Sequence, residues 1–599
     1  MTTKPIVTLG IHEGLMAAAA LVVDGELRAA CAEERLTRKK NQAGIPLRAI
    51  ETVLATAGLS IDDVTMIAPS TQDAIIPTID DMPTSQTTWR FYDAYGLGGR
   101  LLASIERRWP ASRALTVPSD FARRLGRRLL QRTRAAAISA ATGADAQRMV
   151  SYDHHTSHVM ALAAVAGSEQ QLVFTLDGEG DGLSGSVSWF RAGQRPELIG
   201  SVSRNASLGH IYAGVTGHLR MRSHQDEFKV MGMAPYAHDS ARDACRDRLR
   251  SLLWVERDSA GTPDIKSSRG TRLAPRFIGD YVRDFRFDTQ CGGVQALCEE
   301  TILEWTSAWV RHLGLDHDGV DVGLGGGVFM NVKANMRIAQ QAWANSVTPV
   351  PSCGDESCAV GAAFLAYLDA CAATGRDAQF QRANDLYLGP AWSDADIRQT
   401  VDRASAAHGL HVERPADISD RTAALLADGH VVARFCGRME WGARALGNRS
   451  ILADPSRHDS VREINKRIKS RDFWMPFAAT ILAEAASTYL QTPPAQSSPH
   501  MMLAFDTVPE RWHEIAAGTH PYDRTCRAQI LERRANPEYY RLIERFRDRT
   551  GIAAVLNTSL NLHGEPMVNS PDDALGTLLD SDLAFLTLED FLISKPTPA

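Results

Sequence analysis

Three histidines lie within five positions of one short stretch, SYDHHTSHVMALAA, residues 151–164. The apolar run that follows predicts a helix that begins near the histidines. On such a helix His154 and His158 are four residues apart and share one face, while His155 points elsewhere. Two imidazoles at this spacing can bind one metal ion, or each can bond to backbone near the helix start. The pattern alone leaves both interpretations open.

Carboxylates on glycine-rich turns can complete such a metal site, because these turns aim a short side chain into a cleft. Asp177 in LDGEGDG and Asp355 in SCGDES both meet this requirement. A site of two histidines and carboxylates with open coordination positions favours Fe(II), Mn(II) or Zn(II) over a structural zinc. Coordination positions that the protein leaves open can bind a substrate, which indicates a catalytic rather than a structural metal.

The segments around these turns predict the strands that position them. PIVTLGIHEG and MAAAALVVDGELRAACAEERL, together residues 5–36, indicate short strands, with Asp24-Gly25 as a tight turn. QLVFTLDGEGDGLSGSVSWF, residues 171–190, repeats the order of strand, Gly/Asp-rich turn and strand. The duplicated unit resembles the units with which the actin-like ATPase fold binds phosphates between its lobes.

A third glycine cluster lies in VDVGLGGGVFMNVKAN, residues 320–335. It predicts a strand, three successive glycines and then a helix that Asn331 helps to begin. Glycines let a backbone approach a ligand closely, and a helix start offers N–H groups to an anion. VPSCGDESCAVGAAFLAYL, residues 350–368, repeats the form of turn followed by helix.

The length of the chain predicts more than one domain. At 599 residues it exceeds the roughly 250–300 residues at which one hydrophobic core stops growing. Apolar periodicity is lost between residues 373 and 395, so we expect one domain over 1–385 and a second over 396–599. Both mix helical and strand patterns, which makes the fold class α/β with two domains.

Composition restricts the partners. The formal net charge of -6 offers no field for a polyanion, so no nucleic acid is expected as the main partner. The sequence shows no run of 18 apolar residues and no signal-peptide pattern, so we expect no membrane-spanning segment, no membrane as a main partner and a cytoplasmic location. Nine cysteines without a C-x-x-C pair suit a reducing compartment.

An arginine-rich segment between Arg100 and Arg134 has leucines between its arginines at helical spacing. Three interpretations remain open for it: a solvated face of a helical hairpin, a lid over an anionic or large substrate, and a contact with a membrane surface.

Eight motifs follow the order found in the NodU/CmcH-type O-carbamoyltransferases, which include enzymes that carbamoylate tobramycin, cephamycins, novobiocin and ansamycins. They are GIHEG, DHHTSH, LDGEGD, SLGHIYAGVTGHL, EFKVMGMAPYA, GGGVFMN, GRMEWGARALGNRSILADP and LNTSLNLHGEP. The chain resembles this family over nearly its whole length. The resemblance implies an N-terminal actin-like domain of the ASKHA-type metal-binding ATPase fold and a C-terminal YrdC-like α/β domain.

The resemblance also implies an ATP-dependent O-carbamoyltransferase. The C-terminal domain would form carbamoyladenylate from carbamoyl phosphate and ATP, with Mg bound to the ATP. The N-terminal domain would transfer the carbamoyl group to a hydroxyl-bearing small-molecule acceptor in antibiotic biosynthesis, and a glycosylated polyketide is the preferred acceptor. A homodimer is left open.

Position by position, the resemblance assigns roles to individual residues. It makes His12 the base that takes the acceptor proton, and the ligands of Fe(II) or another divalent transition metal would be His154, His158, Asp177 and Asp355. Triphosphate and carbamoyl phosphate would be bound by Arg444, Lys469, Arg527, Asn557 and Ser559. Contacts to the adenylate in the first domain would come from Lys39, Gly326, Gly327 and Asn331.

Two other functions remain as alternatives. A tRNA threonylcarbamoyl transferase-like enzyme shares both fold types, but the net charge of -6 gives little support to a macromolecular acceptor. A non-catalytic actin-like ATPase would keep the glycine turns without needing the basic C-terminal motifs. The sequence departs from the commoner family pattern at Met475, where relatives have arginine, and at Glu356 and Cys358, whose roles are left open.

Overall fold

The structure is a computed structural model that describes residues 4–72, 131–469, 472–491 and 496–596. The chain folds as two compact units. Unit 1 comprises Met1–Arg28, Asn41–Leu54 and Gly58–Arg382, and unit 2 comprises Ala29–Lys40, Ala55–Ala57 and Ala383–Ala599. The predicted mixed α/β, two-domain architecture is confirmed. The main division lies at residue 382, just before the predicted boundary, and two short N-terminal segments belong with the C-terminal unit.

The first half of the chain forms three sheets. Its strands are β1 Val7–His12, β2 Ala18–Val23, β3 Glu26–Ala32, β4 Met66–Pro69, β5 Gln170–Gly180, β6 Leu183–Arg191, β7 Glu197–Ser203, β8 Leu253–Arg257, β9 Pro263–Ser267, β10 Val320–Gly325 and β11 Ala344–Pro349. The strand orders are β3-β2-β1-β4, β11-β10-β5-β6-β7 and β8-β9.

The two larger sheets repeat one topology. In each, an antiparallel hairpin (β1 with β2, β5 with β6) is extended on its other side by a parallel strand, β4 or β10. Two of the connections are two-residue turns with positive φ at both positions. Asp24-Gly25, between β2 and β3, has φ 45° and 83°, and Asp181-Gly182, between β5 and β6, has φ 50° and 94°. Such turns match the twist of the strands that they join. The predicted duplication of strand–turn–strand units is therefore present.

The same half of the chain also contains helices. They are α1 Glu33–Thr37, α2 Leu47–Thr56, α3 His154–Met160, α4 Leu208–His218, α5 Glu227–Met233, α6 Asp239–Arg250, α7 Ala274–Phe277, α8 Gly279–Val282, α9 Phe287–His312, α10 Val332–Ala339 and α11 Ser357–Thr374. A further helix covers 131–142. Asn331 caps α10 as predicted, because its side chain accepts a hydrogen bond from the N–H of Ala334.

Helix α11 is the central packing element of unit 1. Gly361 and Gly10 allow the close contacts, because a Cβ on Gly361 would overlap the carbonyl of Ser157 in α3, and a Cβ on Gly10 in β1 would overlap the carbonyl of Ala359. Among the described helices, α11 has the length and apolar composition to cross a membrane, but 72% of it is buried inside the protein. It is therefore a core helix that fixes α3 and β1 against each other.

Unit 2 is built on a mixed sheet of eight strands in the order β12-β21-β20-β13-β14-β19-β15-β18. The strands of this part of the chain are β12 His411–Glu413, β13 Val432–Phe435, β14 Arg449–Ala453, β15 Ala478–Leu482, β16 Leu490–Gln491, β17 Asp506–Thr507, β18 Gln529–Leu531, β19 Ala554–Ser559, β20 Phe585–Leu588 and β21 Phe591–Ser594. Its helices are α12 Asp394–His408, α13 Ile418–Ala427, α14 His458–Ile464, α15 Ala486–Tyr489, α16 Pro537–Thr550 and α17 Pro571–Leu579. Phe435, Ile451 and Leu556 lie in the core of this sheet.

Helix α1 belongs to unit 2 because its arginines bind backbone there. Arg35 donates to the carbonyl of Gly442 at 2.6 Å, and Arg38 donates to the carbonyls of Met567 at 2.7 Å and Pro566 at 2.9 Å. The sequence pattern near residue 30 carries no signal for these long-range bonds, so the prediction placed this helix in the first domain.

Candidate active site

Helix α3 brings two histidines together at its first turn. The Asp153 side chain caps the helix by accepting the N–H of Thr156 at 2.9 Å. His154 and His158 are both buried, with their Nε2 atoms 3.1 Å apart. His155 points away and pairs through Nδ1 with the Thr175 hydroxyl at 2.9 Å. The predicted shared face of His154 and His158 is thus present.

Two carboxylates from separate turns meet the histidine pair. Asp177 Oδ2, near the end of β5, lies 3.1 Å from His154 Nε2 and 3.6 Å from His158 Nε2. Asp355 Oδ1, in the turn before α11, lies 3.8 Å and 3.7 Å from the same two atoms. The four ligand atoms all lie within 4.8 Å of one another. The sequence predicted these four residues as one group, and the structure brings them together.

The spacing of this group fits a single transition-metal ion. Donors about 2.1 Å from one ion are about 3.0–3.4 Å apart at octahedral or tetrahedral angles, close to the shorter separations observed. Two imidazoles and two carboxylates also form a donor set typical of Fe(II), Mn(II) or Zn(II) with positions open to substrate. The donors fit the predicted metal, and their role as ligands stays a prediction.

The electrostatics of the group favour a positive charge at its centre. Burial alone would lower the pKa of His154 and His158, but Cys358 and the carboxylates Asp177 and Asp355 outweigh it and raise both pKa values well above the ordinary range. Burial would raise the pKa of Asp177, but the two imidazoles hold it well below its usual value. A proton or a metal cation is therefore strongly stabilised between these side chains.

Neighbouring groups fix the orientation of the ligand side chains. His154 Nδ1 lies 3.9 Å from Cys358 Sγ, and His158 Nδ1 lies 3.4 Å from the Ser357 hydroxyl. Asp177 Oδ1 accepts the N–H of Gly178 at 2.7 Å and of Gly327 at 3.3 Å. Such partners set ring orientation and ligand strength. Cys358, whose role the sequence left open, lies against the far side of the His154 ring.

His12 ends β1 and lies on the other side of Asp355. Its side chain is 2% exposed, its Nδ1 pairs with the Ser70 hydroxyl at 2.9 Å, and its Nε2 lies 3.8 Å from Asp355 Oδ2. Burial lowers the pKa of His12 to about 4, so the ring is neutral at neutral pH. In the tautomer in which Nδ1–H donates to Ser70, Nε2 keeps a lone pair that can take a proton. Asp355 therefore faces the histidine pair with one oxygen and His12 with the other.

The glycine turn after β10 lies against Asp177. Gly326 has φ 90°, and a Cβ there would overlap the backbone of Leu176. A Cβ on Gly327 would come within 2.9 Å of Asp177 Oδ1. The Asn331 side chain also exchanges hydrogen bonds with Gln295 at 2.9 and 3.0 Å. Gly326 and Gly327 thus lie directly against Leu176 and Asp177, while Asn331 caps α10. The adenylate contacts of these three residues stay predictions.

In unit 2, two of the residues that the resemblance assigns to phosphate binding, Lys469 and Ser559, lie in contact. Lys469 is 2% exposed, and its Nζ donates to Ser559 O at 2.6 Å and to its hydroxyl at 3.3 Å. It also donates to Asn561 Oδ1 at 2.7 Å and to Asn561 O at 3.0 Å. This ammonium therefore holds the turn after β19 in place.

The remaining predicted residues of unit 2 lie in different surroundings. The Asn557 amide donates to Ala445 O at 3.2 Å and to the Thr480 hydroxyl at 3.1 Å. Arg444 and Arg527 are half-buried, and Lys39 is exposed in the segment after α1. The prediction placed Lys39 in the first domain, but it belongs to unit 2. The phosphate and adenylate contacts of these residues stay predictions.

Sequence reasoning missed several residues that build the site. Ser70 follows β4 and holds His12, and Arg134 is buried and bonds to Glu13, Thr71 and Ser151 at 2.7–3.2 Å. Arg134 ends the arginine-rich segment of the sequence. Residues 100–130 of that segment lie outside the described residues. A buried arginine at its end was not distinguishable by spacing from the solvated arginines of a helix.

Comparison with known proteins identifies the class. Residues 8–364 match the family described as "Carbamoyltransferase N-terminus", and residues 423–595 match "Carbamoyltransferase C-terminus". The chain belongs to the carbamoyltransferase family of NodU/CmcH type and is a transferase enzyme.

Among its relatives, the chain is 31% identical over 590 residues to nodulation protein NolNO of Sinorhizobium fredii, with 98% of this chain and 79% of the relative covered. Nodulation protein NolO of Bradyrhizobium diazoefficiens is 32% identical over 74% of this chain and 79% of its own length. The 3'-hydroxymethylcephem-O-carbamoyltransferase of Amycolatopsis lactamdurans is 30% identical over 47% of this chain and 50% of its own.

Similarity to solved structures is weaker. Component A of (R)-2-hydroxyglutaryl-CoA dehydratase from Acidaminococcus fermentans aligns with 61% of this chain and 99% of its own, at 14% identity and a TM-score of 0.31. HypF of T. kodakarensis aligns with 62% of this chain and 50% of its own, at 12% identity and a TM-score of 0.30. Likenesses at these TM-scores do not establish a shared fold.

Proposed function

We propose that this protein is an ATP-dependent O-carbamoyltransferase that activates a carbamoyl group in unit 2 and transfers it to an alcohol in unit 1. The observation that carries the proposal is the group formed by His154, His158, Asp177 and Asp355, with His12 at 3.8 Å from Asp355. A neutral buried base beside a metal-type donor set suits acyl transfer to a hydroxyl.

The activation step would consume carbamoyl phosphate and ATP with its Mg. The nitrogen of carbamoyl phosphate donates electrons into the carbonyl, which makes it a poor electrophile. Water displaces phosphate to leave carbamate, and a carbamate oxygen attacks the α-phosphorus of ATP. Carbamoyladenylate forms, and pyrophosphate leaves. Arg444 and Arg527, half-buried on unit 2, are the cations that we assign to these anions.

The transfer step would use His12 as the base. The acceptor hydroxyl attacks the carbamoyl carbon, its proton passes to His12 Nε2, and AMP leaves as the carbamate ester forms. Since the imidazolium that results lies 3.8 Å from Asp355 Oδ2, this carboxylate stabilises the charge that develops on the ring. Ser70 can accept Nδ1–H, and in that tautomer Nε2 is the atom that takes the proton.

A divalent ion fits the donor set of the two histidines and two carboxylates, by type and by spacing. When bound, such an ion supplies a Lewis acid to the oxygens of the carbamoyladenylate. The duplicated sheet topology of unit 1 supports the actin-like interpretation of this half of the chain, and the YrdC-like interpretation of unit 2 belongs to the same proposal.

The acceptor that we propose is a hydroxylated small molecule of antibiotic biosynthesis, with a glycosylated polyketide as the first choice. One relative is named for carbamoylation of a hydroxymethyl group on a cephem, which supports a small-molecule alcohol. The net charge of -6 gives no comparable support for a nucleic acid acceptor.

The test is a reaction of the purified protein with ATP, carbamoyl phosphate and a panel of hydroxylated natural products, followed by mass spectrometry. We expect a product in which one carbamoyl group replaces a hydroxyl hydrogen, with AMP, pyrophosphate and phosphate released. Metal analysis of the same sample is expected to find a bound transition metal. Pyrophosphate release without any carbamoylated product across the panel would count against the acceptor class, and no pyrophosphate release would count against the activation step.

A further inference from the structure

The turn residue Asp181 contacts both sides of the candidate site. It lies in the two-residue turn between β5 and β6, four residues after Asp177. Its Oδ2 accepts the backbone N–H of His154 at 2.8 Å. The β5–β6 hairpin therefore contacts His154 at two places. Asp177 in β5 contacts its ring, and Asp181 in the turn accepts its backbone N–H.

The same carboxylate also binds the segment that holds His12. Its Oδ1 accepts the Thr71 hydroxyl at 2.8 Å, and the N–H of Gln72 lies 2.9 and 3.0 Å from its two oxygens. Thr71 directly follows Ser70, whose hydroxyl pairs with His12 Nδ1. A single carboxylate thus joins the support of His12 to the first residue of α3.

From these contacts we infer that Asp181 is a positioning residue that sets the separation between His12 and the group of His154, His158, Asp177 and Asp355. The inference rests on the proposed function, in which that separation places the base beside the reacting carbonyl. An error of about 1 Å in such a placement costs roughly 100-fold in rate. A carboxylate that accepts hydrogen bonds from the backbone N–H groups of His154 and Gln72 is suited to hold this separation.

The backbone conformation at Asp181 allows its side chain to be replaced without added backbone strain. Asp181 has φ 50°, a conformation that glycine adopts without strain and that asparagine tolerates better than most residues. Asp181→Gly removes the carboxylate. Asp181→Asn can keep the geometry, because its amide oxygen can accept the N–H groups of His154 and Gln72 while its NH₂ donates to Thr71.

Asp24 provides the matched control. It occupies the first position of the other two-residue turn with φ 45°, and its Oδ1 accepts the N–H of Ile6 at 3.0 Å and an Arg376 bond at 2.8 Å. Asp24→Gly therefore removes a carboxylate of similar structural role that contacts neither His154 nor the Ser70 segment.

The experiment is a double-mutant cycle on carbamoyl transfer in the full-length protein. We expect Asp181→Gly to lower kcat for transfer by about 10–100-fold and Asp181→Asn to stay within about threefold of the wild type. In a His12→Ala background, Asp181→Gly should cost less than about threefold further, because the base that it positions is gone. Pyrophosphate release by unit 2 should not change, and Asp24→Gly should leave transfer within about threefold.

Metal binding gives a second readout that needs no turnover. We expect Asp181→Gly to weaken Co²⁺ affinity about tenfold, since His154 loses its backbone anchor, and Asp24→Gly to leave it unchanged. Equal losses in the wild-type and His12→Ala backgrounds, or equal effects of the two glycine variants on Co²⁺ affinity, would overturn the inference. If no acceptor of the panel is carbamoylated, the proposed acceptor class has failed, and the Co²⁺ comparison still decides the positioning role.

Discussion

The two units of the protein gather their charged side chains in opposite ways. In unit 1, two carboxylates and two imidazoles turn their electron-pair donors toward one point, with separations of 3.1–3.8 Å. In unit 2, the ammonium of Lys469 is surrounded by four oxygens of Ser559 and Asn561 at 2.6–3.3 Å. The first group offers its donor atoms to a cation that is not part of the chain, as the proposed metal would be, whereas the second group surrounds a cation of the chain itself.

The difference follows from the cost of burying charge. A buried charge must be paired with an opposite charge or with hydrogen-bonding groups, because desolvation is expensive. Lys469 meets this requirement with carbonyl, hydroxyl and amide oxygens of a single turn, which favours a structural contribution to the site. Asp177 and Asp355 meet it with imidazoles, which can exchange their protons for a metal ion. Substitutions in the two groups should therefore affect different measured quantities.

The largest effect is expected at His158. Replacing His158 with Gln should weaken Co²⁺ affinity by at least about 100-fold, more than the loss of an outer partner costs, and should nearly abolish carbamoyl transfer. His155→Gln is the matched control, since His155 is buried in the same helical turn but pairs with Thr175 instead. Isothermal titration with Co²⁺ measures the difference. Equal losses in both variants would show that the helix, and not the ligand, was damaged.

His12 should come next. His12→Ala is expected to lower kcat for transfer by about 10²–10³-fold while Co²⁺ affinity stays within about threefold, because the ring accepts a proton without holding the ion. Ser70→Ala should cost less, about tenfold, since it removes only the partner of Nδ1. Rapid-quench measurement of carbamate ester formation separates this step from activation. Loss of both transfer and Co²⁺ binding in His12→Ala would place His12 among the ligands, and normal transfer would show that it is not the base.

The sequence predicted unit 1 more completely than unit 2 for a physical reason. The spacing of His154 and His158 is local, since four residues on a helix place two side chains on one face, and strand-end turns predict where Asp177 and Asp355 point. No such local rule placed α1 in unit 2, because Arg35 and Arg38 bind carbonyls more than 400 residues away in sequence. Long-range backbone contacts leave no periodic signal.

The same reasoning explains the residues that were missed. Asp181 was visible in LDGEGDG only as a turn former, and its contacts to Gln72 and His154 depend on how separate elements pack. Arg134 belongs to the arginine-rich segment, for which the spacing left three interpretations open, and none of them predicts that it is 2% exposed and bonds to Glu13. In both cases the sequence gives the residue type and the turn or helix, and tertiary packing gives the partner.

A smaller effect is expected from Gly180→Ala. A Cβ at Gly180 would overlap the ring of His154, so the ring must move and Co²⁺ affinity should fall by about 10–100-fold without loss of the fold. Gly576→Ala in α17 is the control, because no atom lies within 4 Å of the added Cβ, and it should stabilise that helix by up to about 1 kcal/mol. Co²⁺ titration and thermal unfolding of both variants test this. Unchanged affinity in Gly180→Ala would mean that the His154 ring position does not limit binding.

The smallest effect is expected at Lys469 and concerns stability. Lys469→Met leaves oxygens of the half-buried Ser559 and Asn561 without this donor, so the free energy of unfolding should fall by about 2 kcal/mol. Lys466→Met, at an exposed position in the same segment, should change it by less than about 0.5 kcal/mol. Denaturant unfolding and the KM for ATP, measured together, distinguish the two roles of Lys469. A turn anchor changes stability first, whereas a phosphate ligand raises KM in a variant that unfolds like the wild type.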